Sequence, residues 1–150
     1  MEGAMQGLDT GSAHACTGVR ITPPDIFRHR ISVWNGIRSD AIQLIRREPF
    51  AYEFRSPCHL LIMSERAERE DGETLVEGLP KSTLREFNRK LTFVPSGHQF
   101  FGWQKPRTLT QATYFYINPQ NPLLDGELRF SEIDFKPRLF SSIGTYGKRC

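Results

Sequence analysis

A chain of 150 residues with 38% apolar and 25% charged side chains fits one ordinary soluble domain, and its aromatic share of 11% argues against disorder throughout. The net charge of +3 is small and the basic residues are scattered, so nucleic acid is not indicated as the main partner. The three cysteines, Cys16, Cys58 and Cys150, lie far apart and form no CxxC pair. The sequence therefore predicts neither a disulfide framework nor a structural zinc site, and a reducing compartment fits best.

Residues 1–18 are rich in Gly, Ala, Ser and Thr and carry no apolar period, which reads as a mobile tail. This stretch lacks a basic start followed by an apolar run, so it does not read as a secretory signal. His14 and Cys16 within it are taken as incidental rather than metal-binding. Thr22-Pro23-Pro24-Asp25 is a breaker, and Ile31 to Trp34 is a short strand ending in an Asn35-Gly36 turn. Ile42 and Leu44 alternate with polar neighbours. After the Arg46 to Pro49 interruption, Phe50, Tyr52 and Phe54 do the same, which is the mark of a half-buried strand.

His59 to Met63 forms the next strand; its run Leu60-Leu61-Ile62-Met63 is the longest apolar one and far too short to span a bilayer. The charged stretch Glu65 to Glu70 has no apolar stripe and reads as exposed hairpin, with Asp71-Gly72 as its turn and Glu73 to Glu77 returning. Ser82 to Phe87 has a capping residue and could open a short helix. Lys90 to Val94 is a strand with Leu91 and Phe93 on one face. Pro95-Ser96-Gly97 is a tight turn, and His98 to Trp103 and Thr110 to Ile117 are aromatic strands. Beyond Leu123 the pattern weakens, and residues 141–150 read as a loose end. Short strands with frequent turns and no long helices predict an all-β sandwich or barrel over 19–140, with short helical or irregular ends.

The stretch from Cys58 to Pro119 resembles the N-terminal effector-sensing domain of AraC-type transcription regulators. The carrying pieces are Asp71-Gly72-Glu73-Thr74, Val76-Glu77-Gly78-Leu79-Pro80, Leu91 to His98 and Thr113-Tyr114-Phe115-Tyr116, with a weaker echo back to Val33-Trp34-Asn35-Gly36. The resemblance implies a cupin-like double-stranded β-helix, a jelly-roll barrel that takes a small-molecule effector in the cytoplasm. Members of that family add helices for dimerisation and two helix-turn-helix units that read DNA. Residues 123–150 are too short and too rich in Pro and Gly to supply them. DNA binding would then need a domain missing from this chain, and pairing of two copies stays open.

A barrel interior is a natural small-molecule site, and the sequence places Phe54, His98, Phe100, Trp103, Tyr114 and Tyr116 near it. For each of them, ordinary core packing is the competing reading. No cofactor and no catalytic residue is expected, and the chain reads as a non-enzyme. The alternative is a metal-dependent cupin enzyme. Metal-binding cupins place a His-x-His-x3–4-Glu pattern on one strand and a His after a Pro-x-Gly turn. His59, Glu65 and His98 match imperfectly, because Leu61 takes the second histidine's place and Phe100 stands where the later ligand belongs. There is no Gly-rich phosphate loop and no Gly-x-Ser-x-Gly.

Overall fold

The computed structural model describes residues 16–120 and 136–142. Within them the chain forms ten strands: β1 (Arg20–Thr22), β2 (Phe27–Trp34), β3 (Ile37–Leu44), β4 (Phe50–Phe54), β5 (His59–Arg66), β6 (Arg69–Val76), β7 (Lys90–Val94), β8 (Phe100–Pro106), β9 (Gln111–Ile117) and β10 (Arg138–Ser142). The only helical piece is a 3-10 turn at Pro24–Ile26, after the cis Thr22-Pro23 bond. Asn35 and Gly36 both adopt positive φ, 49° and 78°, which matches the twist of the flanking β2–β3 hairpin.

The strands form two antiparallel sheets, one ordered β1-β4-β8-β6 and the other β10-β7-β5-β9-β3-β2. From β3 onward the pairing is nested. β3 pairs with β9, β4 with β8 and β5 with β7. β6 meets the segment 82–87 through the bridges Thr74↔Ser82 and Glu68↔Glu86. This is one long hairpin, its tip at residues 77–81, rolled up so that successive strands alternate between sheets. Side contacts β5–β9 and β6–β8 close the roll. The result is the expected all-β, cupin-like jelly roll.

Alternation sets what lies inside. Phe50, Tyr52 and Phe54 of β4 face inward, as do Leu60, Ile62 and Ser64 of β5 and Ala112, Tyr114 and Tyr116 of β9. Leu44, Leu60 and Val94 are fully buried; each such side chain contributes about 1.5–3 kcal/mol relative to exposure. On β7 the inward residues are Thr92 and Val94, so Leu91 and Phe93 line the half-covered outer face.

Three expectations are corrected. Asp71-Gly72 is not a hairpin turn: β5 crosses to the other sheet through Ala67-Glu68, and Asp71-Gly72 sits in a bulge within β6. Gly72 has φ 153°, and a Cβ there would lie 2.6 Å from the Trp103 carbonyl oxygen. Ser82 to Phe87 is extended rather than helical, because its backbone is claimed by Thr74, Ala67 and Arg69 across the bridges. Cys16 and Cys58 are joined as a disulfide, their Cα atoms 5.4 Å apart, against the expectation of none. Distance along the chain concealed this contact. The residues before β1 lie against the barrel, where the Val19 N–H donates to the Tyr116 hydroxyl at 3.0 Å. The rest of the expected tail, with His14, and Cys150 in the expected loose end lie outside the described residues. No helix among the described residues is long and apolar enough to cross a membrane.

Candidate functional site

Between the two sheets lies a chamber of about 40 Å³. A water needs roughly 10–15 Å³ of such space, so about three heavy atoms fit. Its apolar wall includes Ile62, Phe87 and Phe100. Its polar wall carries the hydroxyls of Tyr52, Ser64, Thr74, Thr92, Thr110 and Tyr114. Larger grooves exist outside. One of about 410 Å³ runs over the outer face of the six-stranded sheet, among Arg28, Arg30 and Glu65. That groove is open to solvent, whereas the interior polar groups converge where water is scarce.

Behind the polar wall stands Arg69, fully buried. The bulge in β6 turns it inward: residues 72, 74 and 76 are buried by simple alternation, and the extra residue brings 69 onto the same side. Its Nε–H donates to the Leu84 carbonyl at 2.7 Å, and Nη1 donates to Thr74 Oγ1 at 2.9 Å and to Gln104 Oε1 at 3.4 Å. Nη2 reaches the Ser82 carbonyl at 3.4 Å. The guanidinium also lies over the Phe87 ring at 4.9 Å. No carboxylate among the described residues forms an ion pair with it. Burial pushes its pKa down, and Tyr52 opposes that shift. Thr74 Oγ1 is 2.6 Å from the Tyr52 hydroxyl, so a chain of hydrogen bonds runs from the cation to the chamber. Burial raises the pKa of both Tyr52 and Tyr114, which keeps these phenols protonated and able to donate.

The residues predicted for the site are only partly gathered there. Phe100 and Tyr114 line the chamber. Phe54 and Tyr116 are inward and buried, with ring centroids 6.0 Å apart, and do not line it. The Tyr116 hydroxyl is engaged by Val19, and burial raises its pKa to about 12. His98 sits after the Pro95-Ser96-Gly97 turn, its Nδ1 3.5 Å from the Ser96 carbonyl oxygen. Trp103 is 39% exposed on the outer face, because Phe100, Gly102 and Gln104 take the inward positions of β8. Sequence reading missed Tyr52, Arg69, Thr74, Gln104 and Thr110. Tyr52 carried a signal, since it shares the period of Phe50 and Phe54.

The alternative metal set is not assembled. His59 and Glu65 occupy outward positions of β5, and Leu60, Ile62 and Ser64 point in. Glu65 borders the outer groove at the far end of the strand. No group of three or more metal-ligating side chains occurs among the described residues. His59 instead accepts the Ser96 N–H at Nδ1, 3.0 Å, and packs against Phe93 with ring centroids 5.4 Å apart. Burial lowers its pKa below 6.5, so the neutral ring is the folded form. The unfolded chain takes up the proton first as pH falls, and stability is lost from about pH 6.5 downward. His59→Gln is expected to flatten that slope, read as the urea midpoint against pH. An unchanged slope would show that another group is responsible.

Thr110 is 6% exposed, lines the chamber, and its Oγ1 has no hydrogen-bond partner among the described residues. A buried hydroxyl without a partner costs roughly 1–3 kcal/mol. Thr110→Val keeps the shape and removes the hydroxyl. It is expected to stabilise the ligand-free chain by up to about 1 kcal/mol in urea unfolding. A loss of stability would mean that the hydroxyl is satisfied.

No protein-family model and no curated protein sequence matches this chain. Solved structures do resemble its fold. A Ralstonia eutropha JMP134 protein assigned as a mannose-6-phosphate isomerase is 15% identical with TM-score 0.48, over 68% of this chain and 93% of that one. The cupin domain of Schizosaccharomyces pombe Cnp3 is 7% identical with TM-score 0.48, over 72% and 73%. Salicylate 1,2-dioxygenase of Pseudoaminobacter salicylatoxidans is 12% identical with TM-score 0.46, over 81% and 30%. Such distant likenesses speak to the fold alone. They nonetheless overturn the expectation of a non-enzyme, because an isomerase and a dioxygenase share this architecture and the fold does not imply a non-catalytic role.

Proposed function

We propose that this chain is the effector-binding domain of an AraC-type transcription regulator, and that the interior chamber is where the effector is sensed. The observation that carries this reading is the convergence of polar groups on an enclosed space: a buried cation, a linked Thr74–Tyr52 pair and an unpartnered Thr110 hydroxyl. Nothing in barrel packing alone requires them there, since apolar residues would fill the same volume at lower cost. The resemblance of Cys58 to Pro119 to that family supports the same reading. Effector binding changes a regulator only through its differential affinity for two arrangements. DNA binding through a separate helix-turn-helix domain and pairing of two copies belong to this proposal.

A thermal-shift screen against a metabolite library tests it. A true effector raises the melting temperature with concentration, by the equivalent of about 2.7 kcal/mol at a hundred times its Kd. No shift with any compound would overturn the reading. A cytoplasmic location follows from the same role, and the Cys16–Cys58 pair weighs against it. Thiol labelling in intact cells separates the two, since a cytoplasmic chain would expose both thiols on denaturation.

A further inference from the structure

The chamber's chemistry is one-sided. Six hydroxyls line it, and no carboxylate, imidazole or amine does among the described residues. Its one side-chain carbonyl, on Gln104, already accepts from Arg69. The positive charge of Arg69 is met only by neutral acceptors: two backbone carbonyls, a hydroxyl and an amide oxygen. These satisfy its hydrogen bonds but leave its charge uncompensated in a region of low dielectric. Thr74 takes the Arg69 proton at Oγ1, which frees its own hydroxyl hydrogen for Tyr52 and leaves the Tyr52 O–H to point at a guest. The Thr92 Oγ1 accepts the Phe140 N–H at 3.2 Å, so its hydrogen is also free. Thr110 offers a third donor with no competing partner among the described residues.

From this we infer that the chamber takes a small carboxylate anion, with its two oxygens on the hydroxyls of Tyr52 and Thr110 and its charge facing Arg69 through Thr74. The inference rests on reading the chamber as the effector site and adds the chemical class. Size sets the choice among anions. About three heavy atoms fit a chamber of about 40 Å³, which suits a carboxylate and is too tight for a phosphate. Anions are held in this way because charge-assisted hydrogen bonds in a dry site are stronger than neutral ones.

The test is an amide-resolved NMR titration of the labelled full chain with sodium acetate, with acetamide, sodium phosphate and sodium chloride as comparisons at equal ionic strength. Acetate is expected to give saturable shifts at Thr74, Gln104 and Thr110, and acetamide and chloride to give none. Thr110→Val and Tyr52→Phe are expected to raise the apparent Kd for acetate by about tenfold each, with spectra that remain as dispersed as the parent's. Neither variant touches the buried cation, so both stay folded. Equal binding of acetate and acetamide, or binding of phosphate in place of acetate, would overturn the anion class and leave the chamber standing as a ligand site. Silence from acetate with shifts from a neutral library compound would do the same. Silence from every compound would sink both readings.

Discussion

Replacing Arg69 by alanine is expected to lower the unfolding free energy by about 3–5 kcal/mol. Two effects add. The Leu84 carbonyl and the Gln104 amide oxygen lose a buried donor, and each unsatisfied group costs about 1–3 kcal/mol. The long side chain is also fully buried against Phe87, so its loss leaves a hole that the surrounding strands fill only in part. Removing a desolvated charge returns some of this, because an unpaired buried cation is itself costly. The deleted contacts outnumber that gain. Arg69→Lys is expected to recover little, since one ammonium cannot reproduce a planar fork that reaches Leu84, Thr74 and Ser82 at once. Urea midpoints and slopes measure both variants. A loss of less than about 1 kcal/mol in the alanine variant would mean that water or another donor replaces the guanidinium.

Gly102→Ala is the second large effect. Gly102 pairs with Tyr52 on one side and Thr74 on the other, on the inward face of β8. A methyl group there would collide with the Glu73 carbonyl oxygen and lie 2.7 Å from the Tyr52 hydroxyl. The first is backbone and cannot swing aside. The strand must shift, and overpacking of this kind costs about 1–3 kcal/mol, with the upper end expected here. The shift also disturbs the 2.6 Å contact between Tyr52 and Thr74, so ligand affinity is expected to fall with stability. Thermal unfolding of the variant checks the first point, and the acetate titration the second. A melting temperature equal to the parent's would show that β6 and β8 separate freely at this point.

The barrel was legible because alternation is a local signal. Phe50, Tyr52 and Phe54 announce one buried face, and Tyr114 and Tyr116 another. The Asn35-Gly36 and Pro95-Ser96-Gly97 turns were equally plain, since their chemistry is held in a few adjacent residues. The polar heart of the chamber was not. Counting back by twos from Val76 and Thr74 places Glu70 inside and Arg69 outside, and the bulge at Asp71-Gly72 reverses that. An arginine flanked by Glu68 and Glu70 looks like solvated surface until its partners Ser82 and Leu84 are known, and these come from the far side of the hairpin tip. The metal reading failed for a related reason. His59 and Glu65 have metal-ligand spacing, but on the outward parity of β5, and parity is invisible without the neighbouring sheet. Trp103 was misplaced in the same way on β8.

The rolled hairpin has a consequence for how the chain reaches its native state. Thr74↔Ser82 closes the smallest ring, Leu60↔Val94 encloses it, Tyr52↔Gly102 encloses that, and Ile42↔Ala112 encloses all three. Loop-closure entropy grows only slowly with length, and after the first ring each further pairing ties down a short added stretch on either side. Assembly can therefore proceed as a zipper that starts at residues 77–81 and works outward, although the final contacts join residues distant in sequence. In that order Arg69 engages Ser82 and Leu84 early, as the latch on the first ring, before the walls of the barrel have closed around it.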